Sequence, residues 1–368
     1  MRIFVVTDAW EPQVNGVVRT LTRTVAECRA MGHDIEVVSP NDGYVTMPLP
    51  TYDEIKLALF AQDDIEDRFK AFEPEAVHIA TEGPLGLAAR TVCLKHRMPF
   101  STSYHTKFPE YVAARRIAPE ALGYAFVRWF HRPAGKVMVA TPSMQAELQS
   151  KGFINLTPWS RGVDTDLFHP AKRAPDRGPF AGLATPVLLY VGRVAVEKNI
   201  EAFLRADAPG SKVVVGDGPQ RRQLEADYPD AVFLGAKFAD DLARHFANAD
   251  VFVFPSLTDT FGLVILEAMA TGTPVAGYVA PGPRDIIPGS GAGAVDDDLA
   301  AAIRQCLTLD RTAVRAYAEK YSWRACAEEF VRNLSPLPPL ERRRLWSRLR
   351  KLRPPRFRRR QRTVDPAA

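Results

Sequence analysis

Residues 251–274 read VFVFPSLTDTFGLVILEAMATGTP. Val251 to Phe254 is a short, continuous apolar run of β-branched and aromatic residues, the pattern of a strand covered on both faces. Pro255 and the polar SLTDT end it, and apolar text of helical length runs from Gly262 to Thr271 before Gly272 and Pro274. Strand, loop and helix in that order make half of a parallel crossover. The loop falls at the carboxyl end of the strand, where open α/β sheets bind ligands. Asp259 sits in this loop and Glu267, with seven residues between them, sits on the helix. Thr260, Phe261 and Gly262 stand at the helix start, whose free amides and dipole suit a phosphate. At 1.5 Å per helical residue the two carboxylates are at most roughly 12 Å apart. That is too far to share a proton or a metal, but it suits gripping two ends of one elongated ligand, and each acid can accept from a vicinal diol.

The same alternation extends both ways. Ile3–Thr7, Ile35–Ser39, Val77–Ala80, Phe100–Tyr104 and Val137–Thr141 read as buried strands, with helices over Val17–Met31, Leu85–His96 and Ser143–Lys151. Residues 166–186, with four prolines and two glycines, read as a linker. The alternation then restarts with strands at Val187–Val191, Val213–Val215, Val232–Leu234, Val251–Phe254 and Val275–Ala276, and helices at Ile200–Ala206, Asp240–Ala249 and Gly262–Thr271. Two doubly wound domains in tandem leave a cleft between the carboxyl ends of their strands. At 368 residues and 46% apolar the chain has the core for both.

Charge separates the body from its end. Residues 341–362 hold eleven arginines and one lysine against one acid, so a net charge of +5 overall leaves the rest of the chain negative. An acidic body argues against nucleic acid as a partner, which needs a basic footprint. Leu345, Leu349 and Leu352 recur at helical spacing beside Trp346, a stripe suited to an anionic membrane surface, or else part of a solvated basic tail. Cys28, Cys93, Cys306 and Cys326 have no paired spacing, which points to a reducing cytoplasm. No segment has the length and apolarity of a signal peptide or a membrane span. The localisation expected is cytoplasmic, with a peripheral place on the inner face of the cytoplasmic membrane.

Further candidates cluster at strand ends. Gly192 and Arg193 follow the strand VLLYV, and Lys198 and Asn199 open the next helix, so both cations face the cleft, where they can stabilise a departing diphosphate without proton transfer. Asn15 and Gly16 lie after the first strand, where a glycine lets a phosphate or sugar approach the backbone. His105, past another strand end, can hydrogen-bond a sugar hydroxyl.

Together the segments PQVNGV, HIATEGPLG, SYHTKFPEY, SRGVD, GRVAVEKN, GDGP and EAMATGTPV, in this order from Met1 to about Val331, resemble the family 4 glycosyltransferases, retaining enzymes of the GT-B fold that need no metal and no cofactor. The resemblance implies an α/β chain of two Rossmann-like, doubly wound domains facing a cleft, with C-terminal helices and a basic tail. Residues 1–170 would be the acceptor domain, 171–335 the nucleotide-sugar domain with the C-terminal helices, and 336–368 the tail. It implies that Gly16 approaches the diphosphate, that His105 sits by the transferred sugar, and that Arg193 and Lys198 hold the diphosphate. Asp259 would hold sugar hydroxyls and Glu267 the ribose hydroxyls, with Gly192, Gly216, Gly218, Thr260, Phe261 and Gly262 around the donor. The family more often has Glu at the first acid, so Asp259 departs by one methylene.

PLPTYDEIKLAL, HIATEGPLG and TDTFG look like the branch of α-mannosyltransferases and sulfoquinovosyl- and glucuronosyl-diacylglycerol synthases. On that resemblance the donor is GDP-mannose or a UDP-sugar, the acceptor is a membrane lipid or glycolipid, and residues 341–362 meet an anionic membrane. Asn15, Tyr52 and His105 become acceptor-side candidates, and Met47–Phe60 an acceptor-side loop or helix. Two rivals stand beside this: a membrane-docked binding protein without catalysis, and a nicotinamide-dependent oxidoreductase, because Gly289–Ala294 (GSGAGA) matches a dinucleotide glycine pattern, although Pro288 rather than a strand precedes it and no βαβ unit with an acid about 20 residues on follows.

Overall fold

The computed structural model describes residues 1–13, 15–49, 52–114, 118–259 and 261–351, with backbone alone for 48, 49, 52–56, 111, 114 and 351. Its first half carries β1 (Arg2–Val6), α1 (Gly16–Ala30), β2 (Asp34–Val38), β3 (Val45–Leu49), β4 (Tyr52–Leu59), α2 (Gln62–Phe72), β5 (Ala76–Ile79), α3 (Pro84–His96), β6 (Phe100–Tyr104), α4 (Phe108–Ala114), α5 (Glu120–His131), β7 (Lys136–Val139), α6 (Pro142–Ser150) and β8 (Leu156–Pro158). The second half carries β9 (Val187–Val191), α7 (Ile200–Arg205), β10 (Ser211–Val215), α8 (Arg221–Asp227), β11 (Val232–Phe233), α9 (Ala239–Asn248), β12 (Val251–Phe254), α10 (Leu263–Ala270), β13 (Val275–Gly277), α11 (Pro283–Ile286), β14 (Gly293–Val295), α12 (Leu299–Cys306), α13 (Arg311–Ala318), α14 (Trp323–Asn333) and α15 (Pro339–Lys351).

Two parallel six-stranded sheets result, ordered β2-β1-β5-β6-β7-β8 and β11-β10-β9-β12-β13-β14. The strand order reverses beside β1 in the first and beside β9 in the second, and a crevice opens at such a switch point. The loops after β1 and β5 therefore meet the crevice of one domain, and those after β9 and β12 the crevice of the other. Central strands are apolar on both faces because helices cover both: Val187 to Val191 and Val251 to Phe254 are buried throughout.

Packing corrects two expectations and bears out the rejection of one rival. Among the described residues of 47–60 no helix forms: β3 and β4 pair antiparallel, with Val45, Met47 and Phe60 exposed. The glycines of GSGAGA lead into β14 instead of following a strand, so they cannot open a dinucleotide-binding βαβ unit. And of the helices placed at the end of the second domain, α12 and α13 stay on it while α14 returns to the first. On α14, the Cys326 carbonyl accepts from Trp159 Nε1 at 3.1 Å, and Asn333 Nδ2 donates to the Pro158 carbonyl at 2.6 Å.

The helix α15 follows it. Leu345, Trp346 and Leu349 are buried against α2, with the Trp346 ring centroid 5.0 Å from that of Phe69. Burial of each such side chain is worth about 1.5–3 kcal/mol, so the stripe assigned to a bilayer is committed to the core of the first domain. The opposite face, with Arg343, Arg344 and Arg348, is exposed, while Arg342 and Arg350 pair with Glu75 and Glu73. Leu352 and the rest of the basic segment to 362 lie outside the described residues. Among the described residues no helix is long and apolar enough to cross a membrane.

Candidate active site in the cleft between the domains

The loop after β9 and the loop after β12 are tied together at the second switch point. Asn199 Nδ2 donates to the Pro255 carbonyl at 3.1 Å, and Thr258 Oγ1 to the Glu197 carbonyl at 3.2 Å. Lys198, at the end of a short 3-10 turn, reaches Asp259: Nζ lies 2.6 Å from Oδ1 and 2.8 Å from Oδ2. The cation and the carboxylate expected to face the diphosphate and the sugar thus hold each other, both only part-exposed. The carbonyl of Arg193 accepts from the hydroxyl of buried Tyr190 at 2.9 Å, which fixes the chain as it leaves β9.

The glycines here serve backbone packing. A Cβ on Gly216 would stand 1.8 Å from the Gly192 carbonyl oxygen, and one on Gly218 would stand 2.4 Å from that of Val194. Only glycine lets the exits of β9 and β10 touch, and the contact is closed by Val194 N donating to the Asp217 carbonyl at 2.8 Å. Gly262 has a φ of 85° and abuts Phe254, turning the chain into α10 with Phe261 buried behind it. Among the described residues no side chain caps α10, which leaves its first amides to an anion. Thr260 lies outside the described residues.

Glu267 is 3% exposed, and its partner comes from the other domain: Arg19 of α1 reaches across to Oε1. Oε2 is buried and has no hydrogen-bond partner among the described residues. Burial pushes this carboxyl above its ordinary value, against the pull of Arg19. Arg19 had no signal in the sequence beyond its place, one turn into a helix whose start faces the cleft. Nearby, Ser143 at the start of α6 donates its N–H to Asp285 Oδ1 at 3.0 Å, with Oγ bonded to Oδ2, and Arg23 meets Asp164 at 2.8 Å.

On the first domain's side, Gly16 begins α1. Among the described residues, a Cβ there would meet Leu263 Cδ1 alone, at 3.8 Å, an ordinary contact. Packing therefore does not require this glycine. The side chain of Asn15 caps the helix, Oδ1 accepting from Val17 N and Val18 N at 3.0 Å each, so its oxygen is engaged in the fold. Asp8, unremarked in the sequence, is buried. It accepts from Leu85 N at 2.9 Å, Gly86 N at 3.3 Å and Thr81 Oγ1 at 2.8 Å, fixing TEGPLG at the same crevice, and burial raises its carboxyl's pKa. His105 follows β6, half-buried, its ring edge-on to Trp159 at 5.6 Å. Tyr52 lies in β4, with only its backbone described.

The structure brings together Gly16, Glu267, Lys198, Asp259 and the exit of β9, and sets His105 at the strand edge of the first domain. Among the described residues no group of three or more His, Cys, Asp or Glu side chains gathers as for a metal ion.

Comparison with known proteins bears on the same segments. Residues 14–167 match the model of Glycosyltransferase Family 4, and residues 185–309 that of Glycosyl transferases group 1. A GDP-mannose-dependent alpha-mannosyltransferase of Corynebacterium glutamicum is 30% identical, over 78% of this chain and 74% of that one. The sulfoquinovosyl transferase SQD2 of Arabidopsis thaliana is 28% identical, over 87% and 70%. The solved structure of sucrose-phosphate synthase from Thermosynechococcus elongatus superposes with a TM-score of 0.70 at 21% identity, covering 96% of this chain and all of that one, a likeness of fold.

Proposed function

Because the chain belongs to glycosyltransferase family 4 and is a hexosyltransferase that uses a nucleotide sugar, we propose that it moves a hexosyl or uronosyl unit from GDP-mannose or a UDP-sugar to a membrane lipid or glycolipid, with retention at the anomeric carbon. The observation that carries this reading is the Lys198–Asp259 pair at the switch point of the second sheet, with Glu267 on the helix that follows and Gly16 on the facing wall.

In the free enzyme the pair holds both side chains near their working positions. The donor's diphosphate takes Lys198, together with Arg193 and the first amides of α10, and Asp259 turns to the sugar hydroxyls. Glu267 receives the ribose diol, which must displace Arg19. Gly16 leaves the start of α1 open to the diphosphate, an opening that packing alone does not call for. As the bond from the anomeric carbon to the phosphate oxygen breaks, its electrons stay on the phosphate, and the preplaced cations stabilise that charge. The acceptor hydroxyl attacks from the same face and gives its proton to the departing phosphate oxygen. The charge of the diphosphate is met by these cations, and the reading calls on no metal and no cofactor.

A lipid acceptor is supported by the similarity to the alpha-monoglucosyldiacylglycerol synthase of Streptococcus pneumoniae, 25% identical over 83% of this chain and 78% of that one, and by the exposed Val45, Met47 and Phe60 at the β3–β4 pair. With the α15 stripe buried, attraction to an anionic inner leaflet falls to the arginine face, about 1 kcal/mol per cation near the surface. Binding to phosphatidylglycerol vesicles should accordingly fade between about 0.1 and 1 M salt, and salt-resistant binding would contradict an electrostatic dock. The reaction itself is tested by GDP and UDP release from a donor panel with lipid vesicles. Acceptor-dependent release from one donor is expected, and hydrolysis without transfer across the panel would overturn the reading.

A further inference from the structure

Arg161 lies in SRGVD, the segment that follows β8, and it is 4% exposed. Its guanidinium is held without a carboxylate among the described residues. Nη1 donates to the Trp159 carbonyl at 2.6 Å and the Ser160 carbonyl at 3.0 Å, and the group lies over the Trp159 ring, 4.6 Å from its centroid. The remaining arm, Nη2, reaches His105 Nδ1 at 3.4 Å. A buried cation is costly unless paired, and here its free arm goes to the one histidine at the cleft edge of the first sheet.

A guanidinium has donors only. Where it meets Nδ1, that nitrogen must present its lone pair, and the single proton of a neutral imidazole then sits on Nε2. We propose that Arg161 is a positioning residue that fixes His105 as the neutral Nε2–H tautomer, so that His105 serves the transferred sugar as a hydrogen-bond donor and not as a proton acceptor. This assignment depends on His105 facing the sugar, as in the function proposed above.

The surroundings agree. Among the described residues, the charged or titratable groups acting on the ring include Arg161, His78 of β5 and His131 of α5. Burial, then Arg161, holds the His105 imidazole well below its ordinary value. Glu329 of α14, which accepts from Ser160 N at 2.6 Å, acts on Arg161, whose own pKa burial draws down to about 10. Taking up a proton would place an imidazolium against a guanidinium. The acceptor hydroxyl's proton is therefore left to the departing phosphate oxygen.

The test is the ring-nitrogen spectrum of the full chain labelled with nitrogen-15 histidine, with His105 assigned by His105→Gln, alongside kcat against pH. Wild type should show the Nε2–H tautomer and no titration from about pH 5.5 to 8. Arg161→Met should mix the tautomers and bring a titration into that range. With the folded-state pKa raised towards its ordinary value, the neutral Nε2–H ring is lost to the imidazolium as pH falls, so kcat should fall on the acid side. Arg161→Lys, also donor-only, should restore much of the wild-type spectrum and profile, and melting temperatures show whether the variants fold. A wild-type ring protonated on Nδ1, or a tautomer unchanged in both folded variants, would overturn the proposal. The spectra need neither donor nor acceptor, so they hold or fail independently of the sugar-transfer reading, which fails instead if the donor panel yields no transfer.

Discussion

Asp259 and Glu267 stand in one βα unit and each is tied to a cation, yet the two ties differ in reach. Asp259 is held by Lys198 from the loop after β9 in the same domain, part-exposed, so its pair does not depend on how the domains sit. Glu267 is buried and held by Arg19 from the opposite domain, so its pair exists only while the domains are in this arrangement. On the proposed reading the first pair is a stored site and the second a latch that the nucleotide opens. The motif supplies two acids, and the partner of each decides what it can do.

The largest expected effect breaks the first pair. Lys198→Ala should lower turnover about a hundredfold to a thousandfold with circular dichroism unchanged, and near-normal turnover would remove the diphosphate role. Next comes the second pair. Glu267→Gln should weaken nucleoside diphosphate binding about tenfold to a hundredfold by calorimetry, with less effect on turnover at saturating donor.

Gly16→Ala sharpens the comparison from the facing wall. It should cost about tenfold in donor affinity while leaving melting unchanged or slightly higher, since alanine suits a helix better. A comparable loss of stability would make that glycine a packing residue, as Gly216 is. The smallest effect concerns the latch. Arg19→Met removes the competitor for Glu267 and lets burial lift that carboxyl further, so nucleotide affinity should rise a few-fold at alkaline pH. The gain should fade as pH falls through the raised pKa and the carboxyl takes up a proton. Affinity equal to wild type at every pH would show that Arg19 and the ribose do not compete.

Sequence pattern reached the strands that are buried on both faces, because such strands are written as unbroken apolar runs: Val187 to Val191 and Val251 to Phe254 lie where their text places them. It missed β8 and β14, three residues each, too short for a period to register. It misread the β3–β4 pair, whose exposed faces carry no core signal, and it misplaced Trp346, because an amphipathic helix shows that it has an apolar face and not what covers it. Lys198 and Asp259 were legible as charged residues at strand ends. Their mutual pairing, Arg19 on Glu267 and Arg161 on His105 were not, since each joins residues more than fifty positions apart whose meeting depends on how β9, β12 and the two domains pack.

The central claim, front-face transfer over the Lys198–Asp259 pair, is tested most directly by the anomeric configuration of the product. Transfer from an α-linked GDP- or UDP-sugar to lipid, read by the one-bond carbon–hydrogen coupling at the anomeric position, should give an α-glycoside that fails to accumulate with Lys198→Ala. A β-linked product would contradict it.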